Sequence, residues 1–326
     1  MNKAIRISAY GGPEVLKWVD VDVPAPGPGQ ALIRQSACGL NYIDVYMRTG
    51  LYPLPQLPGG LGMDAAGVVD AVGEGVTDVR VGDRVAYVTK IAGAYAQTRV
   101  MDVESLVILP DAICDKTAAA IMLKGLTAQY LLRRTYDVKA GDTILMHAAA
   151  GGVGLILCQW AKHLGATVIG TVGSEEKAEL ARAHGCDHTI LYREENFKDR
   201  VQSITSGEGV NVVYDSIGKD TFMDSLDSLK PLGTMVTFGN ASGKVEPFDP
   251  GILAAKGSLF VTRPTLFTYI AKRQDLVAMT DDLFAVVASG AVKVEINQEF
   301  AMADVAHAHT ALEARQTTGS TILLPA

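Results

Sequence analysis

The run Ala148-Ala149-Ala150-Gly151-Gly152-Val153-Gly154 concentrates small residues between the apolar stretch Thr143–Met146 and an amphipathic pattern. That pattern places Val153, Ile156, Leu157, Trp160, Ala161 and Leu164 on one helical face. A strand, a tight turn of small residues and a helix N-terminus in this order suit phosphate binding. The backbone can approach a pyrophosphate closely, and the N–H groups of the helix's first turn face its oxygens. Ala150, Gly151, Gly152 and Val153 are therefore expected to contact a dinucleotide, in a variant of G-x-G-x-x-G with Ala149 at the first glycine.

The next strand, Thr167–Val172, runs into Gly173 and Ser174 with no carboxylate at its tip. Sites for NAD place an acidic residue there to bond the ribose 2′-hydroxyl. Ser174 is a natural helix N-cap, and a capping box would put Glu or Gln at 177. Lys177 stands there instead, an unfavourable charge in a first turn unless an anion lies close. A 2′-phosphate is such an anion, so NADPH is expected rather than NADH. Tyr192, at the tip of the third strand, is placed to cover that phosphate or the adenine. Glu175 and Glu176 oppose this reading unless their side chains turn to solvent.

Metal-ligand patterns are missing. The four cysteines, at 38, 114, 158 and 186, form no C-x-x-C pair, and the six histidines show no metal-ligand spacing. His307 and His309, two apart on a helical stretch, are read as surface residues; His147 is read as packing. Asp44 is expected to orient Tyr or Arg neighbours rather than to act as a base.

The elements that must position these residues fall into two rhythms. The first third carries short strands, such as 31–37 and 66–72, bounded by Pro24, Pro26, Gly27, Pro28, Gly29 and later Gly73-Glu74-Gly75. Such spacing implies a small barrel-like β domain. From about Leu126, apolar runs at 143–146, 167–172, 188–192, 210–216, 233–238 and 258–262 alternate with helical patterns. Parallel strands need crossovers of that length, so this half is α/β, a doubly wound parallel sheet. The segment 276–287 reads as an amphipathic helix, and Thr321-Ile322-Leu323-Leu324 as a strand returning to the first domain.

The length of 326 residues suggests two domains. With 29 Lys and Arg against 36 Asp and Glu, the net charge of −7 argues against nucleic acid or an anionic membrane as partner. The charged residues near the beginning do not resemble a secretory signal, and 143–161, although uncharged, is interrupted by the glycine turn. A cytoplasmic location is expected.

The small-residue turn, Lys124-Gly125-Leu126-Thr127, and Gly67-Val68-Val69 with Gly82-Asp83-Arg84-Val85 resemble the medium-chain dehydrogenase/reductase superfamily. Asn41-Tyr42-Ile43-Asp44-Val45-Tyr46-Met47-Arg48-Thr49-Gly50-Leu51-Tyr52-Pro53, with Val261-Thr262-Arg263-Pro264, is similar to its zeta-crystallin-like NADPH:quinone oxidoreductase branch. The resemblance covers essentially the whole chain. It implies a Rossmann NADPH-binding domain over 126–265 and a GroES-like, mainly β catalytic domain from 1–125 and 266–326. Where zinc-dependent members carry Cys, this chain has Asn41; where they carry Gly-His-Glu, it has Gly62-Met63-Asp64. The lobe that holds four cysteines in those members has none here. No metal is therefore expected, and without a Lewis acid the acceptor must need little activation.

A quinone fits that requirement. Asn41, Tyr46, Tyr52 and Arg263 are the candidates to hold the acceptor ring and donate hydrogen bonds to a developing oxyanion. The tyrosines could equally be cleft-wall packing, and Arg263 a partner of a cofactor phosphate. Asn41 could instead bind the cofactor's ribose or amide. The resemblance adds Thr127, Ser216, Phe238, Gly239 and Asn240 as cofactor contacts and implies a homodimer, with the last parallel strand as one route to pairing. Reduction of an activated C=C bond (enal, enone or enoyl thioester) is the nearest alternative activity. An NADPH-binding structural or RNA-binding protein is the alternative from another class.

Overall fold

The computed structural model describes residues 2–325. The chain divides into two compact units. The first comprises Met1–Leu126, Ile270–Phe284 and Val294–Ala326; the second comprises Thr127–Tyr269 and Ala285–Lys293.

The second unit is built on six parallel strands: Thr143–Met146, Thr167–Val172, His188–Leu191, Val210–Asp215, Leu229–Thr237 and Phe260–Thr262. Counted along the chain, their spatial order is 3-2-1-4-5-6. This is the doubly wound dinucleotide-binding arrangement, whose switch point lies between the first and fourth strands. The strands carry helices on their faces, so they are rich in apolar residues without strict alternation. Leu145, Ile169, Ile190, Val213 and Met235 pack in one cluster with Phe197, Phe222 and Leu226 from the helices.

The observed ends differ by a few residues from the apolar runs. The third strand stops at Leu191 and the fourth at Asp215, while the fifth starts four residues early, at Leu229. Pairing with a neighbouring strand, rather than apolarity, sets these limits. Tyr192, Ser216 and Phe238 therefore begin the loops at the carboxyl ends of their strands.

The first unit holds a three-stranded sheet and a seven-stranded sheet. The long strand Gln30–Leu40 is central to the larger one, pairing antiparallel with Asp64–Val72, Thr98–Asp102 and the C-terminal strand Ser320–Leu324. The last pairing returns the end of the chain to the first unit. Ile5, Ile7, Ile33, Val69, Tyr87, Tyr95 and Leu106 belong to its core cluster.

The helix Arg273–Ala288 contains the predicted amphipathic stretch. Its last turn and the residues up to 293 cluster with the second unit, whereas the sequence reading assigned all of 266–326 to the first. A helix can cross a unit boundary without interrupting its hydrogen bonds, so composition gives no break to read. Among the described residues, no helix is long and apolar enough to cross a membrane.

Candidate active site

In the second unit, the small-residue turn lies at the carboxyl end of the first strand. Ala148 takes a left-handed backbone with φ +56°, and the Gly151 N–H donates to its carbonyl at 2.9 Å. A Cβ at Gly154 would fall 2.5 Å from both the Ala148 and Ala149 carbonyl oxygens, so only glycine lets the helix start this close to the turn. The helix Gly152–His163 opens from Gly151 with no side-chain cap and no acidic residue in its first turn.

Two neighbouring helices differ. Ser174 accepts from the Lys177 N–H, and Asn196 from the Asp199 N–H. Of these three helices, the one that follows the glycine turn is uncapped, and its first-turn donors and the positive end of its dipole suit a pyrophosphate.

The adjoining strand tips hold the other expected cofactor residues. Ser174 is the N-cap, as its type suggests; Glu175 and Glu176 are exposed, and Lys177 is half-buried. Tyr192 reaches back over the second strand's end, with its hydroxyl beside Gly173. Thr127 and Ala150 are buried; Gly152, Val153, Ser216, Phe238 and Asn240 are partly exposed.

Asp215, buried at the end of the fourth strand, shapes the following loop. Its carboxylate accepts from the Ile217 and Gly218 N–H groups and the Thr221 hydroxyl, at 2.6, 3.1 and 2.7 Å. Arg263 donates through Nη1 to Thr237 Oγ1 and the Gly239 carbonyl, at 3.1 and 2.8 Å, tying the last strand to the loop that carries Gly239 and Asn240.

In the first unit, a buried polar cluster surrounds Asn41. Its backbone N–H donates to Asp44 Oδ2 at 2.8 Å, and its Nδ2 donates to Asp64 Oδ1 at 2.7 Å. Asp64 Oδ2 accepts from the Leu123 N–H at 2.9 Å. Lys124 Nζ donates to the Leu40 carbonyl, one residue before Asn41, at 2.9 Å. Tyr95 donates its hydroxyl to Asp44 Oδ2 at 2.7 Å. Asp44 thus orients a tyrosine, but Tyr95 rather than a neighbour on its own helix.

Burial dominates the electrostatics. It raises the Asp44 carboxyl to about 7 against the lowering effect of its hydrogen bonds, raises Asp64 and lowers Lys124. Asn41 Oδ1 and Asp44 Oδ1 are buried with no hydrogen-bond partner among the described residues.

The helix Tyr42–Arg48 carries Tyr46, whose ring meets Tyr42 and Tyr52 edge-on at centroid distances of 5.3 and 5.2 Å. Tyr46 is buried and Tyr52 half-buried, so this aromatic stack adjoins the Asn41 cluster along one short helix. At the helix's other end, Arg48 pairs with both carboxylate oxygens of Glu313, at 2.8 and 2.7 Å.

His309 is fully buried, which corrects the expectation that it lies on the surface; of these two histidines only His307 is exposed. Arg48 donates to His309 Nδ1 at 3.1 Å, and burial with the adjacent guanidinium holds the imidazole down to about 3. His147 is buried between Thr171 and Ser225 against the edge of Phe197, a packing role. Among the described residues, no three His, Cys, Asp or Glu side chains gather as a metal-binding group.

Asn41, Tyr46 and Tyr52 therefore share one unit, and the glycine turn, Lys177, Tyr192 and Arg263 share the other. Sequence reasoning gave no role to Asp64, Lys124, Tyr95 or Asp215. Charged residues inside apolar runs, such as Asp64 before Ala65-Ala66-Gly67, were the available signal.

Comparison with known proteins adds the following. Residues 27–132 match the alcohol dehydrogenase GroES-like domain, and residues 152–280 match the zinc-binding dehydrogenase family. A quinone oxidoreductase of Pseudomonas aeruginosa is 57% identical over 325 residues, covering 100% of both chains. A 2-haloacrylate reductase of a Burkholderia species is 46% identical, covering 100% of this chain and 99% of its own. The Escherichia coli quinone oxidoreductase solved in complex with NADPH superposes with a TM-score of 0.97 at 48% identity, covering 99% of this chain and 100% of its own.

Proposed function

We propose, since the chain belongs to the quinone oxidoreductases of the medium-chain dehydrogenase/reductase superfamily, that it is an NADPH-dependent quinone reductase. The observation that carries the cofactor is the uncapped helix after the glycine turn, a cradle closed to any Cβ at Gly154 and open to an anion. Ala150, Gly151, Gly152 and Val153 would hold the pyrophosphate by backbone donors, with Thr127, Ser216, Phe238, Gly239 and Asn240 alongside. Gly173, Ser174, Lys177 and Tyr192 would surround the 2′-phosphate, where the Lys177 ammonium balances its charge. NADPH bound there supplies the reducing equivalents for the acceptor.

The chain's own residues orient the reactants and exclude water. Tyr46 and Tyr52 offer aromatic faces and phenol donors to a planar ring. Arg263 keeps the loop of Gly239 and Asn240 in place through its bonds to Thr237 and the Gly239 carbonyl. One of the two N–H groups of the Asn41 amide serves Asp64, and the other stays a donor. A quinone needs no Lewis acid to accept electrons, and the residues around Asn41 offer hydrogen bonds rather than a ligand set.

A steady-state panel of benzoquinones, naphthoquinones and enals with both reduced nicotinamides tests this reading. Quinone-dependent oxidation of NADPH, well ahead of NADH, is the expected result; equal use of the two coenzymes defeats the specificity assignment. The 46% identical 2-haloacrylate reductase favours a second reading, in which a conjugated C=C bond is the acceptor. Tyr46→Phe or Tyr52→Phe would then abolish enal turnover by removing a proton donor.

A homodimer and a cytoplasmic location complete the proposal. The sheet of the second unit ends in the edge strand Phe260–Thr262, whose Phe260 is 60% exposed. An unpaired apolar edge of this kind invites pairing with a second copy. Light scattering of Phe260→Lys against the parent chain checks it, with a shift toward monomer expected.

A further inference from the structure

The second unit buries two thiols that the proposed chemistry does not use. Cys158 lies within the helix Gly152–His163, and Cys186 lies between the helix Glu175–Ala183 and the strand His188–Leu191. They are 28 positions apart in sequence, yet the Cys186 S–H donates to Cys158 Sγ at 3.5 Å. Both are free cysteines, 0% and 6% exposed. The other two are placed differently. Cys38 is buried in the first unit and donates its thiol to the Ala94 carbonyl, and Cys114 is exposed.

Backbone packing holds the pair together. Gly185 has a left-handed backbone, φ +96°, and a Cβ there would lie 2.8 Å from the Cys158 carbonyl oxygen. The chain entering the third strand is therefore seated directly on the helix at Cys158. On its other side, Cys186 Sγ presses on the second strand: a Cβ at Gly170 would fall 2.7 Å from that sulfur and 2.6 Å from the Ala149 Cβ of the glycine turn. A depression of about 300 Å3 opens to solvent beside the pair, and Gln159 and Gly185, chain neighbours of the two cysteines, help to line it. Two sulfurs already in contact reach bonding distance by turning about their Cα–Cβ bonds, without moving either backbone segment.

We propose that Cys158 and Cys186 are a modification site, which a hydroperoxide converts into a reversible disulfide that clamps the second unit. Cys186, the less buried sulfur, attacks a peroxide oxygen. The O–O bond breaks, the thiol proton leaves with the departing oxygen as water, and Cys186 becomes a sulfenic acid. Cys158 Sγ then attacks that sulfur: the S–S bond forms, the S–O bond breaks, and the hydroxyl takes the Cys158 proton away as a second water. The two thiols lose two electrons in all, and one hydrogen peroxide is reduced to two waters. The hydrogen bond with Cys186, and after it burial, push the Cys158 thiol well above its ordinary value, which makes Cys186 the point of entry. The bond closes the segment 158–186, which carries the second strand, Gly173, Ser174 and Lys177. Closing a loop restricts the unfolded chain, so the oxidised unit resists unfolding.

The test uses the full chain, reduced, treated with hydrogen peroxide while folded, then alkylated and digested for mass spectrometry. A peptide joining Cys158 to Cys186 is expected, and dithiothreitol should release it. Exposed Cys114 gauges whether the oxidant has acted. The oxidised chain should melt at least about 5 °C above the reduced one, and reductant should reverse the gain. Cys158→Ala and Cys186→Ala should each abolish both the joined peptide and the gain. In Cys158→Ala, dimedone should trap Cys186 as the sulfenic acid. The parent chain compared with itself, oxidised against reduced, decides the matter even where a variant does not fold.

Recovery of Cys158 and Cys186 as free thiols, under oxidant that consumes Cys114, overturns the proposal. So does a joined peptide that forms only in urea, because contact in the fold would then play no part. A parent chain in which Cys186 runs on to sulfinic acid overturns the role of Cys158 as its partner. A disulfide that leaves the melt unchanged overturns the clamp. None of these readouts uses NADPH or a quinone, so failure of the proposed activity and failure of this proposal are separate results.

Discussion

The two units prepare for chemistry by opposite means. The glycine turn of the second unit works with backbone: small residues, an uncapped helix and a left-handed alanine make an anion cradle with no charged side chain in it. The Asn41 cluster of the first unit works with side chains, two buried carboxyls and a buried ammonium holding one amide. A backbone cradle is stable without its ligand because only a helix terminus is left open. A buried ionic cluster is a standing cost, tolerated only while every partner stays in place.

Substitutions that remove one partner from each arrangement sharpen the contrast. The largest stability effect is expected at the buried end of the helix that carries Asp44 and Tyr46. Glu313→Ala leaves the Arg48 guanidinium, 1% exposed, without its carboxylate, and should cost about 3 kcal/mol in urea denaturation. If unfolding is unchanged, side-chain charge does not hold this unit. In the backbone cradle, Gly154→Val forces carbon into the Ala148 and Ala149 carbonyls. NADPH affinity should fall at least about a hundred-fold by fluorescence titration. Retained binding would show that the turn is not the nucleotide site.

A smaller effect falls on the one charge assigned to the cradle's rim. Lys177→Ala should weaken NADPH about ten-fold and leave NADH nearly unchanged. Equal losses for both would remove the 2′-phosphate from that position.

The subtlest effect is a pH slope. The Asp44 carboxyl is raised from the ordinary carboxylate range to about 7 in the folded chain, chiefly by burial, so the folded state holds a proton that the unfolded chain has released. Its contribution is complete below about pH 4 and is lost as pH rises toward 7, by at most about 1.4 kcal/mol per pH unit. His309, held near 3 by burial and Arg48, acts in the other sense: its contribution is lost as pH falls from about 6.5 toward 3. The two slopes oppose each other over the overlapping range. Asp44→Asn should therefore leave a stability curve that rises more steeply with pH between 4 and 7 than that of the parent, followed by chemical denaturation. Parallel curves would mean that Asp44 is not the buried acid described.

Legibility followed the same division. Thr143–Met146, the turn and Ser174 could be read from the chain because each acts on neighbours within a few positions, through strand period, turn chemistry and capping. The parallel sheet was readable from the alternation of apolar runs, although its ends shifted where pairing overruled composition. Asp64 and Lys124 were visible only as parts of motifs, and His309 was misread, because its burial depends on Arg48, 261 positions away. Tyr95 gave no signal at all, since its partner Asp44 lies 51 positions off.

The chain's local grammar was enough to determine a doubly wound nucleotide half, a β-rich half, and a turn built for a pyrophosphate. Only the tertiary structure decided which way Asn41 faces. An amide has nearly the same shape in both orientations, and the choice belongs to whichever acceptor or donor the fold brings against it; here that is Asp64, from a different strand.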